Sequence, residues 1–195
     1  MPPSEKEKKQ VVKLHKDFLD EIEGCNALER QGQQGFSSLF NIAERLPSLT
    51  SDKSKLGILN SMDRIHVLMQ RRHFEALEKT STYISQVIQN FFDRVENMQR
   101  AMATCNDVFA RITLEEDNVF LVELMEWMEN VLSMYEREYP FHPSARKKQL
   151  GQGLEYANLA DLQTRYGQWM SSSVHGYIKA NYVSTVVDAM AKQRA

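Results

Sequence analysis

The alternation of apolar and polar residues is most regular over residues 83–112. Apolar side chains recur there at alternating steps of four and three residues, at Ile84, Ile88, Phe91, Val95, Met98, Met102, Cys105, Phe109 and Ile112. This spacing is typical of a helix that buries one narrow stripe against partner helices. A helix over 80–112 would be about 50 Å long, at roughly 1.5 Å per residue. We therefore predict that it forms the spine of an elongated bundle.

A second apolar stripe covers residues 9–30, at Val11, His15, Phe18, Ile22, Cys25 and Leu28. Two helices with such stripes in one chain predict antiparallel packing of one against the other. Gly32 and Gly35 are predicted to end the helix over residues 9–30. A short amphipathic helix over 36–46 is predicted to follow, and to stop at Pro47.

Residues 47–56 form a predicted polar connector, and a third helix is predicted after it. Ile58, Met62, Ile65 and Met69 would lie on one face of this helix. The third helix either continues directly into the spine or bends around residues 80–81, where hydroxyl side chains compete with the helical backbone for hydrogen bonds. The sequence leaves both alternatives open.

Residues 114–139 are predicted to form a helix that is rich in aromatic and acidic residues. One apolar face carries Leu121, Leu124, Met125, Met128, Leu132, Tyr135 and Tyr139. A second apolar face carries Phe120, Trp127 and Met134 at seven-residue steps. Two apolar faces predict that this helix contacts other helices on two sides.

Pro140 and Pro143 mark a predicted domain boundary. The predicted fold is all-α, with an elongated antiparallel helical bundle or coiled coil over 1–139 and a small C-terminal helical appendage over 140–195. Two shorter helices, at about 158–170 and 173–193, would form the appendage. Only eight Gly and five Pro occur in 195 residues, which favours long helices over a β-rich fold.

Composition and charge narrow the class of protein. A net charge of -2 gives no overall attraction to nucleic acid or membrane surfaces, and no apolar run approaches the roughly 18 residues of a membrane span. The first residues lack the apolar core of a signal peptide. Cys25 and Cys105 lie on predicted stripes, so we expect buried, reduced thiols in a cytoplasmic or nuclear protein.

The sequence shows no pattern typical of a catalytic or metal site. His66 and His73 are seven residues apart, but neither has a Cys or a carboxylate four residues further on. A metal site needs three or four converging ligands. Acidic residues recur at three-residue steps in the predicted helix over residues 114–139. However, the chain lacks the Glu-x-x-His motif that di-iron bundles require. We therefore predict no catalytic, cofactor-binding or metal-binding residues, and we expect that the protein is not an enzyme.

Two kinds of residue are candidates for binding a partner. Basic clusters at 71–73 and 146–148 are either solvated helix ends or docking points for an acidic protein or RNA phosphate. The aromatic side chains are either core or interface residues, because Trp and Tyr also dominate interface energetics. The candidate partner-binding residues are Trp127, Met128, Tyr135, Tyr139, Arg146, Lys147, Lys148, Tyr156 and Trp169.

Three segments resemble the AIRIM family of AAA+ ATPase-interacting ribosome maturation factors. Residues 36–46, FSSLFNIAERL, are similar to the first short helix of that family. Residues 124–135, LMEWMENVLSMY, with Tyr139 after them, are similar to its Trp helix. Residues 154–163, LEYANLADLQ, and then Trp169 are similar to the segment that follows its turn. The prolines of residues 140–143 depart from the more continuous basic helix of the family.

The related CINP family is the competing resemblance. It shares the Met- and Tyr-containing helix and the later Trp, but it fits residues 36–46 less well. The AIRIM resemblance implies a non-enzymatic adaptor that joins CINP-like subunits and a hexamer of AAA+ ATPases. Such an assembly strips a recycling factor from pre-60S ribosomal particles and unfolds chromatin-bound replisome proteins.

Two other functions remain as alternatives from the residues themselves. One is a self-associating coiled-coil scaffold or tether, although the stripe of the spine lasts only about four heptads, fewer than a long coiled coil sustains. The other is an RNA-binding bundle that uses the basic clusters. A sequence pI near 6.2 makes RNA binding the weaker of the two.

Overall fold

The computed structural model describes residues 5–50, 57–58, 62, 64–111, 119–138 and 158–170. These residues are almost entirely helical, and none of them lies in a strand. The helices are α1 (Glu5–Glu44), α2 (Leu46–Thr50), α3 (Ile65–Phe109), α4 (Val119–Glu138) and α5 (Leu159–Met170). The prediction of an all-α helical bundle is confirmed.

The described residues divide into two compact units. The first contains residues 5–26 of α1, residues 91–109 of α3 with the two residues that follow them, and all of α4. The second contains residues 27–44 of α1, α2, residues 65–90 of α3, and α5. The boundary predicted at 139–140 lies outside the described residues, so the division into a bundle and an appendage stays a prediction.

The first unit is a bundle of three helix segments. Val11 of α1, Cys105 and Val108 of α3, and Leu121 of α4 form one buried cluster. At the other end of the unit, Glu21 of α1 bonds residues of α3 that precede this cluster. Low numbers on α1 therefore face high numbers on α3, which is the predicted antiparallel pairing. The described stripe residues before Phe109 on α3, and all of those on α1, are buried.

In the first unit, the Glu21 carboxylate accepts hydrogen bonds from two side chains of α3 and so fixes the register of α1 against α3. One oxygen of Glu21 accepts a hydrogen bond from Arg94 Nη1 at 2.8 Å. The other accepts one from Asn97 Nδ2 at 2.9 Å. The hydrogen bond to Glu21 raises the pKa of Arg94 above its usual value. Because one helical turn spans about 5.4 Å, a slip by a turn would break both bonds.

The second unit repeats the antiparallel pairing with different contacts. Gly35 of α1 lies against Tyr83 and Ile84 of α3. Further along, Gln70 Nε2 of α3 donates a hydrogen bond to the Leu49 carbonyl of α2, at 3.0 Å. Residue numbers rise on one side as they fall on the other. The N-terminal half of α3 is thus paired with the chain from residue 35 to residue 49.

The prediction that Gly32 and Gly35 end the helix over residues 9–30 is wrong. Helix α1 runs through both glycines to Glu44, and both are buried. A Cβ at Gly32 would overlap the indole ring of Trp169, and one at Gly35 would lie 2.9 Å from Ile84 Cγ1. Glycine costs a helix up to about 1 kcal/mol relative to Ala. Here it allows neighbouring side chains to approach the α1 backbone.

The break after α1 lies close to the predicted stop. Residues 36–44 belong to α1, and the helix ends three residues before Pro47. A proline has no N–H for the carbonyl four residues earlier, so it cannot continue the helix. Pro47 is accommodated in the first turn of α2, where that N–H is not needed. Part of the predicted polar connector is therefore helical.

Helix α3 contains both the third predicted helix and the spine. It is continuous over 45 residues, so no break separates the two, and the alternative of a bend around residues 80–81 stays a prediction. The Thr80 hydroxyl donates to the Ala76 carbonyl at 2.8 Å, and the residues that follow stay helical. However, α3 begins only at Ile65, because Arg64 has a positive φ of 59°. The prediction that Ile58 and Met62 share this helix is wrong.

Gly32 and Gly167 have opposite environments and therefore give a matched test of the packing. We expect Gly32→Ala to lower the free energy of unfolding by about 1–3 kcal/mol, because the new methyl group overpacks against a rigid ring. Gly167→Ala in α5 is the control, since a Cβ there meets nothing within 4 Å. It should stabilise the protein by about 0.5–1 kcal/mol. Urea denaturation followed by circular dichroism measures both, and equal effects would contradict the close contact at Gly32.

Candidate partner-binding surface

Two of the predicted partner-binding residues lie in the core of the first unit. Met128 is fully buried and Tyr135 is 2% exposed. Both lie on the α4 face that also carries Leu121, which packs against α1 and α3. As placed, these side chains hold α4 in its unit. They have no free surface to offer to another protein.

Trp127 lies on the second apolar face of α4 and is half-buried. Its ring lies 5.5 Å from the ring of His15 and 6.2 Å from that of Phe18, centroid to centroid. Such tilted and edge-on pairs stabilise packing beyond the area that they bury. The second face of α4 thus contacts α1, as the two apolar faces predicted. Burial lowers the pKa of His15 from 6.5 to about 4, so the ring is neutral at pH 7.

Trp169 anchors α5 to α1 in the second unit. Its indole is 2% exposed and lies 5.3 Å from the Phe36 ring. Its Nε1 donates a hydrogen bond to the Glu29 carbonyl at 3.1 Å, so its polar end is satisfied. The ring occupies the space that the missing side chain of Gly32 leaves open. This residue too is a core residue of the described chain.

The other five candidates cannot be placed. Tyr139, Arg146, Lys147, Lys148 and Tyr156 lie outside the described residues. For them partner binding stays a prediction. For the described candidates, the contacts correspond to the core alternative that the sequence left open.

The exposed apolar surface lies elsewhere, mainly on the N-terminal half of α3. Among the described residues, large hydrophobic side chains are exposed only in the second unit, at Ile58, Met62, Val67, Leu68, Phe74, Tyr83 and Met170. The described parts of α1 and α4 expose none. Apolar groups gathered on one part of a surface mark interaction sites more often than apolar residues scattered singly. Sequence reasoning missed this surface, although the basic cluster at 71–73 lies within it.

The same part of α3 is positively charged. Residues 65–83 contain three Lys or Arg and two Glu, a local net charge of +1, whereas the whole chain carries -2. Arg71 bonds Glu75 at 2.9 Å, and both side chains are well exposed. Arg72 and Lys79 form no ion pair with any described residue. The free positive charge therefore lies beside the exposed apolar side chains.

A notch between α1 and α3 opens next to these cations. Its cavity is about 340 Å³, and it is lined by Gln34, Gly35, Ser38, Lys79, Thr80 and Tyr83. The lining supplies an ammonium group, a phenol, a hydroxyl and an amide, and no carboxylate. Such a set of donors suits an acidic group. The absence of a side chain at Gly35 brings the Tyr83 ring close to α1.

Two further features bear on what the chain can bind. Within the described ranges, no three His, Cys, Asp or Glu residues come together in a way that would hold a metal ion. None of the described helices is long and apolar enough to cross a membrane. Comparison with protein-family models gives no match, and comparison with curated proteins gives none either.

The buried histidine predicts a pH dependence of stability. Unfolded His15 takes up a proton below about pH 6.5, while the folded state keeps it neutral down to about pH 4. Its stabilisation is complete above pH 6.5 and is lost as the pH falls towards 4. From pH 7 to pH 5 we expect a loss of about 2 kcal/mol in the free energy of unfolding. Urea denaturation should show a clearly smaller loss for His15→Leu, and an unchanged loss would contradict the burial of a neutral ring.

Proposed function

We propose that this protein is a non-enzymatic adaptor subunit of an AAA+ ATPase complex. It acts in the maturation of pre-60S ribosomal particles, where the complex releases a recycling factor, and in the turnover of replisome proteins. It joins the ATPase to a CINP-like helical subunit, and it works in the cytoplasm and the nucleus. It binds no cofactor and makes no sequence-specific contact with nucleic acid.

The contact between Phe36 and Trp169 carries this proposal. These residues belong to the first and third segments that resemble the AIRIM family, and they are far apart in the sequence. In the second unit their rings lie 5.3 Å apart. Two segments that match in register and also pack against each other form one structural feature. This supports a resemblance of fold over a coincidence of short patterns.

The distribution of side chains also fits an adaptor. The described aromatic residues of the resembling segments pack within their units, while apolar and basic groups are exposed on α3. A preformed surface loses little conformational entropy when a partner binds. An adaptor with such a surface can bridge two proteins without changing shape.

Affinity purification of the tagged full chain from its own cells tests the proposal. We expect AAA+ ATPase subunits and a CINP-like subunit to copurify, and depletion of the chain to leave more recycling factor on pre-60S particles. Gly167→Ala should restore release as well as the wild-type chain does, because it leaves the packing intact. Gly32→Ala should restore it poorly, because it displaces the Trp169 ring.

Either of two results would contradict the proposal. One is purification without any AAA+ ATPase. The other is recovery of copies of this chain alone, which would favour the coiled-coil scaffold. Normal release of the recycling factor after depletion would reject the ribosomal role specifically.

A further inference from the structure

We propose that four residues of α3 form a docking strip for an acidic amphipathic helix of another protein. The strip consists of Leu68, Arg72, Lys79 and Tyr83. This proposal rests on the proposed function for the identity of the partner. The chemistry of the partner follows from the strip itself.

The four residues lie on one face of α3. Their spacings of four, seven and four residues place successive side chains above one another along a helix. Leu68 is 53% exposed and Tyr83 is 42% exposed, and both cations between them are exposed as well. The strip thus has an apolar residue at each end and two positive charges between them. The exposed Glu75, which pairs with Arg71, lies between the two cations.

The charges of the strip call for a partner with carboxylates. Neither Arg72 nor Lys79 is neutralised by a described residue. Glu75 lies between them on the helix, three residues after Arg72 and four before Lys79, and its carboxylate bonds Arg71. Carboxylates on a partner would pair with both cations, and such complementarity raises association rates and selects among partners.

The notch between α1 and α3 gives one of these carboxylates a place. Lys79 and Tyr83 belong to both the strip and the notch, and Gln34 and Ser38 add donors from α1. The Thr80 hydroxyl already donates to a backbone carbonyl. An Asp or Glu side chain of the partner would therefore meet hydrogen-bond donors from both helices along the lining of the notch.

The dimensions of the strip fit a partner helix of ordinary length. Leu68 and Tyr83 are 15 residues apart on one helix, or about 22 Å along its axis. A partner helix of about four turns spans that distance, with apolar residues near its ends and acidic residues between them. Packing of one helix along another buries such a pattern in a single face.

Charge decides against a second copy of this chain as the occupant. A symmetric contact places the same patch on both sides. Arg72 and Lys79 of one chain would then face Arg72 and Lys79 of the other, and like charges in contact are unfavourable. The apolar residues at both ends of the strip also distinguish it from a surface built for RNA phosphates alone.

Site-specific photo-crosslinking tests the proposal. The full chain carries p-benzoylphenylalanine at position 68, or at exposed position 16 of α1 as a control, and is irradiated in its own cells. We expect position 68 to cross-link an acidic amphipathic segment of another protein, identified by mass spectrometry of the joined peptides. The pair Arg72→Glu and Lys79→Glu should lower the yield at least tenfold.

Matched controls separate loss of docking from loss of folding. The exposed pair Lys13→Glu and Lys16→Glu on α1 makes the same change of charge and should leave the yield at position 68 unchanged. All variants should keep the wild-type circular dichroism spectrum and melting temperature. Replacing the acidic residues of the cross-linked segment with Lys should restore the yield of the Arg72→Glu and Lys79→Glu chain.

The possible outcomes distinguish failure of the docking strip from failure of the proposed function. A cross-link to an acidic helix of an AAA+ complex supports both. A cross-link to an acidic helix of a protein outside such a complex supports the strip and contradicts the proposed function. A cross-link to RNA or to a second copy of the chain, no cross-link at all, or a yield that survives charge reversal would overturn the strip.

Discussion

Each unit of the structure depends on the burial of apolar stripes along α1 and α3. In the first unit the stripes meet at residues such as Val11 and Cys105, and α4 covers them from a third side. In the second unit the α1 stripe continues through Gly35, Phe36 and Leu39, where glycine lets side chains of α3 and α5 reach the backbone. Burial of a full apolar side chain contributes about 1.5–3 kcal/mol. Together the stripes determine which surfaces remain for a partner.

Much of the fold follows from the sequence, because a stripe at steps of three and four is itself the cause of helix pairing. The positions of Ile84 to Cys105 and of Val11 to Leu28 could be assigned for that reason. Gly32 could not, because its role depends on Trp169, which is distant in the sequence. Arg64 could not either, because nothing in its chemistry marks a positive φ. Local propensity is a weak guide wherever a tertiary contact overrides it.

The candidate partner-binding surface was harder to predict than the fold, for a physical reason. Trp and Tyr bury large areas both in cores and in interfaces, so Tyr135 and Trp169 fit either role until their neighbours are known. Leu68, by contrast, has no special chemistry, and it becomes informative only because α3 leaves it exposed beside Arg72 and Lys79. The exposed face of α3 is therefore a better candidate for binding a partner than the described aromatic residues.

Hydrogen–deuterium exchange of the full chain, alone and in the purified assembly, tests this account most directly. If the N-terminal half of α3 is the docking face, amide exchange at residues 65–83 slows in the assembly. Exchange over α4 stays the same, because its aromatic residues already pack within the first unit of the free chain. Slower exchange over α4 with no change at residues 65–83 would contradict the account and return partner binding to the Trp127 helix.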